Sequence, residues 1–224
     1  MADAYPLEGY KSLTREQSEK LPEDHRHCVH TMIHCSLPKP VKLFRNPAIV
    51  ISHTVLMMMR HDGRLGFPGG FVDKEDPSLE HAALRELTEE FGDVPSDFKI
   101  TPSDYHCTHL RGKFALHFFI KEVSWEHFLE IEKRNGQQDY EGFEVLGTVR
   151  VPFYTMIPRD DKSGFPAFLR NNFIGNSKQQ LIEGIRLKKL LPDDVLKHYI
   201  EVSMQDDDLS TCGGKGDFGI STNF

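Results

Sequence analysis

Alternation of apolar and polar side chains runs through His25 to Cys35 (HRHCVHTMIHC) and predicts a strand. A denser β-rich run follows from Ala48 to Arg60 (AIVISHTVLMMMR), whose methionines read as core filling, and His61-Asp62-Gly63 is a hairpin turn signal after it. Phe98 to Ile100, Tyr105 to Leu110, Lys113 to Lys121 and Phe143 to Val151 also read as strands. Between them the period lengthens. Pro77 to Phe91, Trp125 to Arg134, Ser177 to Leu190 and Pro192 to Met204 have helical spacing, and a short helix is expected near Thr14 to Leu21. Strands interleaved with helices are compatible with an α/β domain.

The stretch Gly69 to Gly92 (GGFVDKEDPSLEHAALRELTEEFG) carries the chemistry. Asp76 is placed to cap the helix with Pro77 at its first position, and Gly92 is placed to end it. Leu84, Leu87 and Phe91 share one stripe, with Ala83 at its edge. Glu86, Glu89 and Glu90 fall on another arc. Carboxylates at these spacings repel by a few tenths of a kcal/mol per pair, more when partly buried, so a cation belongs there. Arg85 can pair with Glu89 but cannot neutralise three carboxylates, and hard oxygen ligands suit Mg²⁺ or Mn²⁺. Without the glycine-rich loop before it, the same run would read as a solvated acidic face.

These residues resemble a Nudix box. Arg85-Glu86-Leu87-Thr88-Glu89-Glu90-Phe91-Gly92 matches its second half, whereas the first half carries one extra residue before Arg85 and has Asp93 where an aliphatic is usual. Glu75, Asp76 and Glu80 are the candidates for the first acidic position. Further segments are similar to the snoRNA-decapping and inosine-diphosphate-hydrolysing branch of the Nudix hydrolases: His27 to His30, Leu56 to Val72, Ser103 to His109, His117 to Lys121, Glu144 to Tyr154 and Phe168 to Leu181.

That resemblance implies a Nudix fold, a mixed β-sheet sandwiched between helices, and hydrolysis of phosphoanhydride bonds, in IDP, dIDP and GDP-type nucleotides and in the 5′ cap of snoRNA or mRNA. It implies Mg²⁺ or Mn²⁺, with Co²⁺ as a further candidate, held by Gly69, Glu86, Glu90 and His109. Glu89 would hold a second metal or act as general base, and Arg85 would orient the glutamates. His30, Arg60, Phe67 and Gln180 would contact substrate. The bland reading of each is a strand histidine, a surface arginine, a core phenylalanine and an exposed helix glutamine. Glu144 is a possible extra base or ligand. A homodimer in nucleus and cytoplasm is also implied, and so is an alternative: an RNA- or protein-binding adaptor of the same fold that has lost its acidic residues.

Composition narrows the classes. In 224 residues, 38% hydrophobic and 27% charged, the expected division is a polar N-terminal arm (1–24), one Nudix domain (25–204) and a Gly-rich disordered tail (205–224). The formal net charge of −7 excludes a bulk electrostatic grip on nucleic acid. A local basic region at Arg170, Lys178, Arg186, Lys188 and Lys189 is left as a candidate RNA contact or a solvated helix end. No apolar run reaches the ~20 residues of a membrane span, and the start lacks the apolar core of a signal peptide. The histidines around Cys28 and Cys35 lack the paired spacing of a zinc site, and the four cysteines (Cys28, Cys35, Cys107 and Cys212) are expected to be reduced.

Overall fold

The computed structural model describes residues 9–42, 50–92, 94–134, 144–156 and 160–205. The expected tail falls almost wholly outside them, as do Cys212 and part of the loop expected over residues 158–164. Strands β1 (Lys11–Leu13), β2 (Arg26–Lys42), β3 (Val50–Arg60), β4 (Leu65–Gly66), β5 (Tyr105–Arg111), β6 (Phe114–Glu122) and β7 (Val145–Arg150) form one mixed sheet. Its order is β1-β5-β6-β2-β3-β4, with β7 also paired to β3. β2 and β6 run parallel; the other pairs are antiparallel.

Helices cover both faces. Alternation along β3 sends Leu56 and Met58 to one side and Val55 and Met57 to the other. The first side packs against α2 (Leu79–Phe91) and α3 (Trp125–Arg134), where Leu87, Phe91 and Phe128 are fully buried. Each such side chain contributes about 1.5–3 kcal/mol through burial. The second side packs against α4 (Phe165–Phe168), α5 (Ser177–Leu187) and α6 (Asp193–Ser203). The sandwich expected from the sequence is therefore present.

Several local expectations need correction. Phe98 to Ile100 is not a strand; Phe98 and Ile100 instead plug the α2 and α3 side of the core. Within the polar arm, β1 pairs antiparallel with β5, Lys11 opposite Leu110, and Thr14 caps α1 (Arg15–Ser18) with a reciprocal Gln17 box. Arg15 then bonds Glu80 on α2, tying this segment to the box helix. Arg170, grouped above with a basic region, donates to the carbonyls of Val202, Ser203 and Gln205 at the end of α6. Among the described residues no helix is long and apolar enough to cross a membrane.

Candidate active site

The loop from Phe67 to Val72 crosses β2 in a short ladder. Thr31 donates its N–H to the Pro68 carbonyl and Val29 to the Gly70 carbonyl, both at 2.9 Å. Gly69 has φ +143°, and a Cβ there would lie 1.9 Å from the Val29 carbonyl oxygen. A Cβ on Gly70 would lie 2.4 Å from a Glu86 carboxylate oxygen. Gly69 needs glycine, whereas a side chain at Gly70 would displace the Glu86 carboxylate, and the bareness of both brings loop backbone against the helix carboxylates.

The helix begins later than its sequence suggests. Ser78, not Asp76, is the N-cap, accepting from the His81 N–H at 3.1 Å, and Pro77 lies outside the helix. Asp76 has another use. Its carboxylate, 2% exposed, accepts from Arg85 Nε at 3.2 Å and Nη2 at 3.0 Å, and from His81 Nδ1 at 2.8 Å when that nitrogen is protonated. The Arg85 guanidinium holds it well below the usual carboxylate range. Of the three candidates for the first acidic position, Asp76 is thus the partner of Arg85, while Glu80 is taken by Arg15 and Glu75 is exposed. Gly92 has φ +79° and ends the helix where expected.

Arg85 also reaches Glu86 at 3.0 Å, Glu89 at 3.0 Å and the Phe71 carbonyl at 2.8 Å. Its position fixes the acidic arc from one side. Glu90 lies deeper, 7% exposed, and accepts the Gly69 N–H at 2.8 Å. Burial pushes its pKa well above the ordinary value; the Gly69 bond opposes this, and the charge of Glu86 adds to it. Burial raises Glu86 too, against the pull of Arg85. Arg60 and Glu144 both bear electrostatically on Glu90, and Arg60 Nε lies 3.7 Å from Asp62. Glu89 is largely solvated, with 57% of its side chain exposed. These hard oxygens fit a divalent cation, which would relieve a repulsion that Arg85 only partly offsets.

A second group lies on the α5 face. His30 Nδ1 is 3.1 Å from Gln180 Oε1, and burial lowers the His30 pKa to about 4, so the ring is neutral near pH 7. The His30 backbone abuts Gly69, which connects this group to the loop. Gln180 is fully buried, not an exposed helix residue, and its Nε2, with both amide atoms of Asn176 one turn earlier, has no hydrogen-bond partner among the described residues. Asn176 escaped the sequence reading because an asparagine before a helix looks like a cap, yet its side chain makes no capping bond. Phe67 is 2% exposed and packs its ring against Phe118 at 5.7 Å, as a core residue does. His109, fully buried, has its Nε2 3.0 Å from Glu183 on α5 and 3.4 Å from the Cys107 thiol. Glu183 was not singled out in the sequence, because a lone helix glutamate looks solvated. The structure gives it two imidazoles: burial opposes its ionisation, but His106 and His109 hold it at about 2.

The family profile Nudt16-like, described as U8 snoRNA-decapping enzyme-like, matches residues 27–191. The chain is 43% identical to a U8 snoRNA-decapping enzyme of Xenopus laevis over 196 residues, 86% of this chain and 89% of the relative. It is 42% identical to the Mus musculus enzyme over 192 residues, 85% and 95% of the two. It is also 34% identical to the Tudor-interacting repair regulator protein of Homo sapiens over 189 residues, 83% and 85%. Among solved structures, a Bacillus subtilis pyrophosphohydrolase aligns over 80% of this chain and 90% of its own with TM-score 0.42 at 16% identity. The profile match takes in the glycine loop, the box helix and α5 together, so the chain belongs to the Nudt16-like, U8 snoRNA-decapping enzyme-like family of Nudix proteins.

Proposed function

We propose that this protein is a metal-dependent Nudix hydrolase that cleaves phosphoanhydride bonds in inosine and guanosine diphosphates and in the 5′ cap of RNA. The observation that carries the reading is the pair Glu86 and Glu90, two carboxylates pushed toward protonation by burial and set against a glycine loop whose backbone meets them without intervening side chains. Such a pair costs stability unless a cation joins it.

Glu86 and Glu90, with the Gly69 carbonyl, would hold Mg²⁺ or Mn²⁺. A bound divalent ion supplies an acidified water and stabilises charge on the phosphoryl oxygens. Gly69 N–H orients the Glu90 carboxylate, and Arg85, anchored on Asp76, orients Glu86 and Glu89. Glu89, the most solvated of the three, is free to accept the proton of the attacking water or to hold a second ion. Arg60 supplies a planar cation for the diphosphate. His30 presents a neutral imidazole, and Gln180 and Asn176 unpaired amide groups, for the edge of a purine. Two roles come from resemblance alone. Phe67 is too enclosed to stack on a base without core movement, and His109 turns its Nε2 to Glu183. The homodimer and the nuclear and cytoplasmic setting rest on the same resemblance.

Similarity to the Tudor-interacting repair regulator protein favours a second reading, an adaptor without turnover. The presence of Glu86, Glu89 and Glu90 weighs against it. Incubating wild type and Glu90→Gln with IDP and with capped RNA, in Mg²⁺ and in Mn²⁺, separates the two. Release of IMP or of the cap nucleotide by wild type only supports the hydrolase; RNA binding without product from either protein supports the adaptor.

A further inference from the structure

We propose a second metal site, for Zn²⁺ or a similar borderline ion, formed by His106, Cys107 and Glu183 where strand β5 meets helix α5. It is independent of the hydrolase reading and lies on the face of the sheet opposite the box helix.

The site depends on an irregularity in β5. Its register with β6 shifts between Tyr105, opposite Phe119, and Cys107, opposite Phe118, leaving His106 as an extra residue. A bulge of this kind turns consecutive side chains to the same side, which a regular strand forbids. His106 and Cys107 therefore both face α5, and donor atoms of His106, Cys107 and Glu183 all lie within 4.8 Å of one another. His106 Nε2 is 3.1 Å from Glu183 Oε1, and the Cys107 thiol is 3.4 Å from His109 Nε2.

Orientation points the same way as proximity. His106 Nε2 and Glu183 Oε2 are buried and make no properly directed hydrogen bond, although His106 and His109 stand 3.0–3.1 Å from that carboxylate. Both atoms are therefore open to a further partner, which an ion would supply. Bonds of ~2.0–2.3 Å in a tetrahedral zinc site put ligand atoms about 3.3–3.6 Å apart, so donor atoms already within 4.8 Å of one another close on an ion with modest side-chain rotation.

Donor chemistry separates this site from the box. A thiolate with an imidazole and a carboxylate prefers Zn²⁺ or Co²⁺ to Mg²⁺, whereas Glu86 and Glu90 offer only hard oxygens. On binding, the thiol releases its proton to solvent, and thiolate plus carboxylate balance the dication. Because Gln180 precedes Glu183 by about one turn of α5, an ion here would pin the helix that carries the His30 partner.

The test is a Co²⁺ titration of the chelator-stripped full chain with the box saturated by Mg²⁺. The expected result is a sulfur-to-cobalt charge-transfer band in the near ultraviolet with tetrahedral bands in the visible, saturating at about one equivalent and abolished by Zn²⁺. Cys107→Ser should lose the charge-transfer band, His106→Ala and Glu183→Gln should weaken Co²⁺ binding at least ~10-fold, and Glu90→Gln should leave the spectrum unchanged. His106 is only half-buried, so its variant keeps the test informative if Cys107→Ser fails to fold. Absence of the band in wild type overturns the proposal, as does a band that survives in Cys107→Ser. Wild-type Co²⁺ affinity in both His106→Ala and Glu183→Gln would overturn it equally.

Discussion

The backbone N–H of Gly69 donates to the buried carboxylate of Glu90 at 2.8 Å, so the loop and the box helix meet through one main-chain bond. A Cβ on Gly69 would lie 1.9 Å from the Val29 carbonyl, with the residue at φ +143°. Gly69→Ala is expected to cost at least about 2 kcal/mol, from backbone strain and displacement of the loop. Urea denaturation measures the stability loss, and a Mn²⁺ titration followed by thermal shift should show weakened binding.

Glu90→Gln separates charge from shape. Because burial raises the Glu90 pKa above its ordinary 4.5, its contribution is most favourable below that value and is lost as pH rises through the folded pKa. In chelator, the stability of wild type minus that of Glu90→Gln should therefore fall as pH rises above 4.5. Denaturation midpoints of the two proteins across that range test the sign. Addition of Mg²⁺ at ~100 times its Kd should stabilise wild type by about 2.7 kcal/mol and the variant far less.

Arg85→Ala leaves the carboxylate of Asp76 with only the Asp73 N–H and His81 as partners. Breaking a fully buried pair costs about 3–5 kcal/mol; with the guanidinium partly solvated, about 2–3 kcal/mol is expected. Arg85→Lys should recover only part of this, since an ammonium cannot span Asp76, Glu86 and Glu89 together. The Asp76 pKa is depressed, so its stabilisation is present above the ordinary value of 3.8 and is lost on acidification through the folded pKa. Acid melts of the wild type and the two variants check both size and direction.

Gln180→Ala removes the partner of His30. Nucleotide binding should weaken about tenfold, the equivalent of ~1.4 kcal/mol, with kcat largely retained. With the His30 pKa near 4, that ring stays neutral from pH 5.5 upward and should impose no titration on IDP affinity there. Calorimetry of Glu90→Gln with IDP at several pH values would expose any such dependence.

The box helix was legible because its signals are local: an apolar stripe, a glycine stop and a glutamate triad lie within one short segment. Its cap was misread because Asp76 and Ser78 both suit an N-cap, and only the position of Arg85, nine residues on, decides between them. Phe98 to Ile100 has strand composition but no strand beside it, and composition cannot supply a partner. The setting of His109 depends on Glu183, on an element far along the chain. Phe67 is a core residue in the structure, as its plain reading as a core phenylalanine expects. β1 is too short to have a period at all.

That short strand has a consequence for assembly. Lys11–Leu13 sits at the sheet's border and, among the described strands, pairs only with β5, with Lys11 opposite Leu110. During synthesis these residues leave the ribosome early, yet their docking surface does not exist until the middle of the chain has been made. A strand made well before β5 is placed only after it, and β5 keeps an open edge in the meantime. Hydrogen exchange during refolding should find the amides of β1 protected after those that join β2 to β6.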